Sequence, residues 1–220
     1  MNNLALAQPI KRTRRKEARP GEIADAALVL FVRQGFQATR MEDVARQANV
    51  SKGTVFRYFP SKNELFKAVV MAHITPHIND WRAHVEQFEG PTARLIQEGM
   101  LAWWQEIGDS PVGGISRLFM QEVRHIPELA TYYQEAAIDP GRAVVDAIVQ
   151  RGVRRGEFRA MDASTVQALV MAPLLMLAAT HDTPHARHIL LAPSQTPEQL
   201  IRQMADIIVD GLRSSAKENP

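Results

Sequence analysis

The sequence predicts an all-α fold, with an N-terminal three-helix head that carries a helix-turn-helix and a larger helical body behind it. Three observations carry that prediction. Apolar residues recur at helical spacing almost everywhere after residue 19, and no useful length of chain alternates apolar and polar as a half-buried strand does. Serine and threonine stand where N-caps are needed, with glutamate three residues on. Glycine, asparagine and proline fall where those helices should stop.

In chain order, residues 1–19 contain Lys11-Arg12-Thr13-Arg14-Arg15-Lys16, a run without apolar periodicity. Such a segment is expected to be a disordered basic arm. A first helix over about Pro20–Gln34 sets Ile23, Ala26, Ala27, Leu30 and Phe31 on one face, and Gly35 supplies its left-handed stop. The second starts at Thr39, where Thr39-Arg40-Met41-Glu42 reads as a capping box, and it buries Met41, Val44, Ala45 and Ala48. Asn49 then takes a left-handed turn, which asparagine tolerates. Ser51 caps a third helix ending near Phe59, with Val50 and Val55 as a hydrophobic staple and Pro60 preventing continuation. Ser61-Lys62-Asn63-Glu64 opens a fourth helix with Leu65, Phe66, Val69 and Val70 on its buried face, and Pro76 should kink or end it. Further helices are expected over 92–108, 114–126, 127–155, 162–181 and 196–214. Pro140 implies a bend in 127–155, and Pro173 interrupts 162–181. The chain then divides into an arm (1–19), a head (20–67) and a body (68–220).

Composition narrows the function. The 220 residues include no cysteine, which removes disulfide frameworks and thiolate metal sites. The longest nearly unbroken apolar run, Ala168 to Ala179, falls short of the about 20 residues that span a bilayer. The N-terminus lacks the apolar core of a signal peptide. No membrane association and a cytoplasmic location are therefore expected. Residues 1–67 hold 13 Lys/Arg against 6 Asp/Glu, while residues 68–220 hold 13 against 18. A basic end on an acidic body points that end at a polyanion. No Gly-rich phosphate loop, nucleophile elbow or His-Glu-x-x-His is present, so neither enzyme chemistry nor a cofactor is expected.

The second and third helices, joined by a tight turn at Asn49-Val50, make a helix-turn-helix. In that motif the second helix of the pair enters the major groove of duplex DNA and its leading residues reach base edges. Here Lys52, Thr54 and Arg57 supply donors, Gly53 lets the backbone approach, and Tyr58 offers a hydroxyl; Ser51 and Phe56 are grouped with them. Val55 and Phe59 hold the helix to the core. Thr39, Arg40 and Lys62 stand at helix N-termini, where free amides and the dipole favour phosphate. The run at 11–16 is placed to enter a minor groove or screen phosphates.

A longer pattern is carried by Gly35-Phe36-Gln37-Ala38-Thr39, Val44-Ala45, Ala48-Asn49-Val50-Ser51-Lys52-Gly53-Thr54-Val55, Tyr58-Phe59 and Ser61-Lys62-Asn63-Glu64-Leu65-Phe66. With these residues the segment 21–67 resembles the DNA-binding domain of the TetR/AcrR family of bacterial regulators. Arg155-Gly156-Glu157-Phe158-Arg159 is similar to a turn frequent in that family. Asn49 stands where the family usually has glycine, a departure that the left-handed tolerance of asparagine accommodates. Arg40 stands where a small or hydroxyl residue is common, and the phosphate or base contact it offers is expected to make the operator differ from those of relatives. The resemblance implies a homodimer joined through its last two helices, a ligand pocket among the middle helices, and release of a palindromic operator when a ligand shifts the fourth helix. Repression is the output it implies.

The later helices suit that picture. Val166, Leu169, Val170, Leu174 and Leu177 form one wide apolar stripe, and Leu200, Ile201, Met204, Ile207, Ile208 and Leu212 form another. Val166, Leu169, Val170, Leu174, Leu177, Met204, Ile207, Ile208 and Leu212 are expected at the dimer interface, a purely intrachain core being the alternative. Met100, Trp103, Trp104, Phe119, Met120, Tyr132 and Tyr133 are expected to line a pocket for an apolar or aromatic effector, although each alone also suits a plain core. Arg117, Arg124 and His125 would pair with an acidic ligand or face water. Two groups, His73/His77/Asp80/His84 and His181/Asp182/His185/His188, have donor types that bind metal. Pro76 disturbs the first spacing and the second reads as a solvated loop, so no metal is expected.

Overall fold

The computed structural model describes residues 10–122, 127–180, 190–192 and 194–213, without the side chains of 10–18 and 119–122. Among the described residues there are eleven α-helices and no strand, only an isolated antiparallel bridge between Phe158 and Arg213.

Four helices build the head: α1 (Ile10–Gln34), α2 (Met41–Gln47), α3 (Lys52–Tyr58) and α4 (Lys62–His73). The expected stripe of α1 is buried, Ile23, Ala27 and Phe31 completely. Phe31, Phe36 and Phe66 form a ring cluster with centroids 5.3–6.0 Å apart, an arrangement that adds to their burial. Gly35 (φ 86°) and Asn49 (φ 53°) occupy the left-handed region at the two stops where the sequence requires it. Ser51 Oγ accepts from the Thr54 amide at 3.1 Å, and Ser61 Oγ accepts from the Glu64 amide at 3.1 Å, so both caps form.

Two expectations about the head are corrected. The helix expected from Pro20 begins at Ile10, so residues 10–19 are helical rather than disordered, with Pro20 inside the element. Lys, Arg, Glu and Ala dominate this stretch and favour helix without a buried stripe, and periodicity registers only the stripe. Thr39 does not cap α2. The N-cap is Arg40, without a side-chain cap bond, while the buried Thr39 hydroxyl donates to the Gly35 carbonyl at 2.7 Å.

The body comprises α5 (Thr75–Gln87), α6 (Thr92–Trp103), α7 (Gly113–Glu122), α8 (Pro127–Tyr133), α9 (Asp139–Arg154), α10 (Ala163–Thr180) and α11 (Pro197–Leu212). Pro76 lies in the first turn of α5, where a missing N–H costs nothing. A π-helical turn, Trp104–Gly108, follows α6, and another, Gln134–Ile138, joins α8 to α9 just before Pro140. The continuous helices expected over 92–108 and 127–155 are thus each interrupted by an inserted residue. Thr196 and Gln199 form a reciprocal capping box at the start of α11.

Two apolar cores result. The first joins α1–α4 to Ile115 and Leu118 of α7 and to Leu129 and Tyr133 of α8; the second joins α6, α9, α10 and α11. The boundary expected at 67/68 falls inside α4, whose Val69 and Val70 belong to the first core. The helix α10 is long and apolar enough to cross a membrane by length and composition, since it extends beyond the apolar run 168–179. In this fold it packs against α7, α9 and α11.

Candidate DNA-reading face and effector cavity

The outer face of α3 follows from its burial pattern. Val55 is fully buried against α2, whereas Ser51, Lys52, Gly53, Phe56 and Arg57 are exposed and Thr54 and Tyr58 are half-buried. A Cβ on Gly53 would meet only Ser51 Oγ at 4.0 Å, so the backbone there is open for close approach. The Lys52 ammonium pairs with Glu42 and lies 5.6 Å from the Phe56 ring centroid. That hydrogen bond is the main reason the Glu42 carboxyl sits below its ordinary value. The Arg57 guanidinium lies 5.2 Å from the Tyr58 ring centroid. Seven of the ten expected DNA contacts therefore share one short helix and its cap, and Arg40 adds an exposed side chain at the start of α2.

Thr39 and Lys62 are placed differently. Thr39 is buried, so its hydroxyl serves the loop rather than a ligand. Lys62 Nζ donates to the carbonyls of Phe36, Gln37 and Thr39 at 2.7, 3.1 and 3.0 Å and lies 4.5 Å from the Phe36 ring centroid. It clamps the α1–α2 loop onto α4, a role that its place at a helix start does not reveal.

Behind the head lies a cavity of about 260 Å³. Its walls come from α5 (Ile78, Trp81) and the adjoining Ile74, α6 (Leu95, Met100, Trp103), α9 (Val144, Val145, Ile148) and α10 (Val170, Met171, Leu174), with Tyr133 and the two π-helical turns. Of the residues expected to line it, Met100, Trp103 and Tyr133 do so. Trp104 does not: its buried ring points elsewhere and its Nε1 donates to Glu198 of α11 at 3.1 Å. Tyr132 also lies outside, its hydroxyl donating to the Lys67 carbonyl at 3.3 Å. The side chains of Phe119 and Met120, like Arg124, His125 and the group His181/Asp182/His185/His188, lie outside the described residues.

Part of the expected dimer interface is intrachain core. Val166, Val170, Leu174, Leu177 and Leu212 are buried within the single chain, and Val170 and Leu174 face the cavity. A stripe apolar on several faces identifies burial but not which side is internal. Met204 and Ile208 are half-buried, while Leu169 and Ile207 remain 53 % and 72 % exposed.

The first histidine group is dispersed. His73 lies 3.2 Å from Asp25 of α1, His77 3.1 Å from Glu106, and the His84 ring meets Trp81 edge-on and Phe88 at a tilt. Among the described residues no three metal-ligating groups converge.

A helix-turn-helix head on a helical body with an apolar cavity is the build of a ligand-responsive, DNA-binding transcription regulator. Comparison with known proteins agrees. Residues 23–69 match bacterial regulatory proteins of the tetR family, and residues 89–208 match the tetracyclin repressor-like C-terminal domain. The repressor KstR2 of Rhodococcus jostii is 24 % identical over 94 % of this chain and 97 % of its own, and the regulator RutR of Escherichia coli is 36 % identical over 51 % of each. The fold is shared with FadR of Bacillus subtilis, solved with stearoyl-CoA, at a TM-score of 0.72 and 15 % identity over 88 % of this chain and 99 % of that one. The chain belongs to the tetR family of bacterial regulatory proteins. Its family regulates transcription and does not catalyse a reaction.

Proposed function

We propose that the chain acts in the cytoplasm as a homodimeric repressor that grips a palindromic operator and lets go when an apolar effector fills the cavity. The observation that carries this reading is the outward edge of α3, where the bare backbone at Gly53 and the exposed Phe56 and Arg57 lie together, with Lys52 and Thr54 on its two flanks. Residues at such an edge reach bases in the major groove, and cations beside it hold phosphates. The helical extension of α1 through Lys11–Lys16 adds charge at the same end of the chain.

Dimerisation is supported by Leu169, Met176 and Ile207, large apolar side chains left 50–72 % exposed on α10 and α11. Large apolar side chains left in water favour association that covers them. An apolar effector is supported by the lining, and by a regulator of the same fold that is described as a ketosteroid regulator.

Selection of bound fragments from a random DNA pool tests the reading. A palindromic site, with affinity falling at least about tenfold between roughly 50 and 200 mM salt, is the expected result. Recovery of no site, or of a single unrepeated half-site, overturns it.

A further inference from the structure

The polar groups in the cavity narrow the class of effector, an inference that rests on the ligand reading above. At the buried end, Ser116 Oγ and Tyr133 OH lie 3.2 Å apart on side chains that are 7 % and 6 % exposed. Such a separation is long for two hydroxyls, so the contact is easily exchanged for a ligand oxygen that comes within reach of both. Burial pushes the Tyr133 phenol up, which keeps it protonated as a hydrogen-bond donor. Near solvent, His77 Nδ1 and Glu106 Oε2 lie 3.1 Å apart. The Gln167 amide oxygen accepts from Arg142 at 2.8 Å. The rest of the described lining is aliphatic, aromatic, thioether or glycine, with neither lysine nor arginine.

Charge decides the class. A carboxylate or phosphate in this cavity would lose its hydration and meet no lysine or arginine among the described lining groups, and an ammonium would find the Glu106 carboxylate already paired with His77. An uncharged oxygen pays far less and finds two hydroxyls. We infer that the effector is a compact, uncharged, largely apolar molecule whose single hydroxyl or carbonyl oxygen hydrogen-bonds to the Ser116 and Tyr133 hydroxyls, and that these two residues set its specificity.

Calorimetry on the full chain without DNA tests this, with 2-naphthol, 2-naphthoate and 2-naphthylmethylammonium as probes of one ring system and three charges. The expected result is that naphthol binds at least tenfold more tightly than either ion. Naphthalene itself measures the apolar contribution. Tyr133→Phe and Ser116→Ala should each reduce naphthol affinity toward that of naphthalene while leaving naphthalene within about twofold, which separates lost recognition from a damaged fold. The inference is overturned if naphthoate or the ammonium binds as well as naphthol, if none of the probes binds, or if both variants keep the naphthol preference. A parallel anisotropy titration with operator DNA separates the two readings. Naphthol that binds with the stated preference yet leaves DNA bound overturns release, and leaves the effector class standing.

Discussion

At the scale of single residues, a position in the sequence motif does not fix a role. Lys62 and Thr39 both stand at helix starts, yet both are spent on the α1–α2 loop. Lys62→Met removes charge-assisted bonds to three carbonyls, so it should lower unfolding stability by about 1–3 kcal/mol in a urea titration. Operator affinity of the folded fraction should change less than threefold. Arg57→Ala should do the reverse: stability within about 0.5 kcal/mol of the parent, and operator affinity reduced by about 1–3 kcal/mol, with relaxed preference at one base position if the contact is to a base edge. A pH titration of stability probes a different set. Hydrogen bonding to Lys52 and Lys67 holds Glu42 and Glu128 below the ordinary carboxylate range, and contacts from Ser164 and Thr165 do the same for Asp162. Burial alone would raise Glu157, but hydrogen bonds from Arg155 and Thr92 prevail and lower it. Carboxyls lowered by folding stabilise the chain above their unfolded values, and that stabilisation is lost as pH falls through the folded ones. The urea midpoint should therefore drop between about pH 5 and pH 3, and Asp162→Asn should flatten part of that decline.

At the scale of elements, helices with an amphipathic stripe and a cap are legible in the sequence. Ser51, Ser61, Gly35 and Asn49 each signal a local hydrogen bond or a left-handed residue, and local chemistry survives folding. The helical extension back to Ile10 leaves no stripe to read, and the two π-helical turns leave no residue signature, since an inserted residue shifts the register without changing composition. The cavity is legible only in part for a related reason. Sequence shows that Trp103 and Trp104 are apolar neighbours, but which one faces the hollow depends on the turn that starts at Trp104, and Trp104 is the one that turns away to Glu198. The wall from α5 and α9 depends on tertiary contacts that no single-helix pattern contains. One close approach makes a test at this scale. A Cβ on Gly152 of α9 would fall 2.1 Å from the buried Phe158 ring, just beyond the turn at Gly156. Gly152→Ala should force that ring outward and cost about 1–3 kcal/mol by thermal unfolding. Phe158→Leu in the same background should recover part of the loss.

At the scale of the whole molecule, charge and exposed apolar area divide the work. Cations gather toward the head and the acidic excess lies in the body, while the large apolar side chains left uncovered on α10 and α11 support the dimer proposed above. Ile207→Glu should give a monomer by sedimentation and weaken operator binding at least tenfold, whereas Ile207→Val should remain dimeric. The helix α10 is a wall of the cavity through Val170, Met171 and Leu174, and elsewhere on its surface it exposes Leu169 and Met176. One helix is about 10 Å across. In a dimer joined along it, an effector that presses on α10 from within one protomer presses on the other protomer's copy as well. Occupancy of the first site then alters affinity at the second, so effector saturation should depart from a simple hyperbola, with a Hill coefficient that returns to one in the Ile207→Glu monomer.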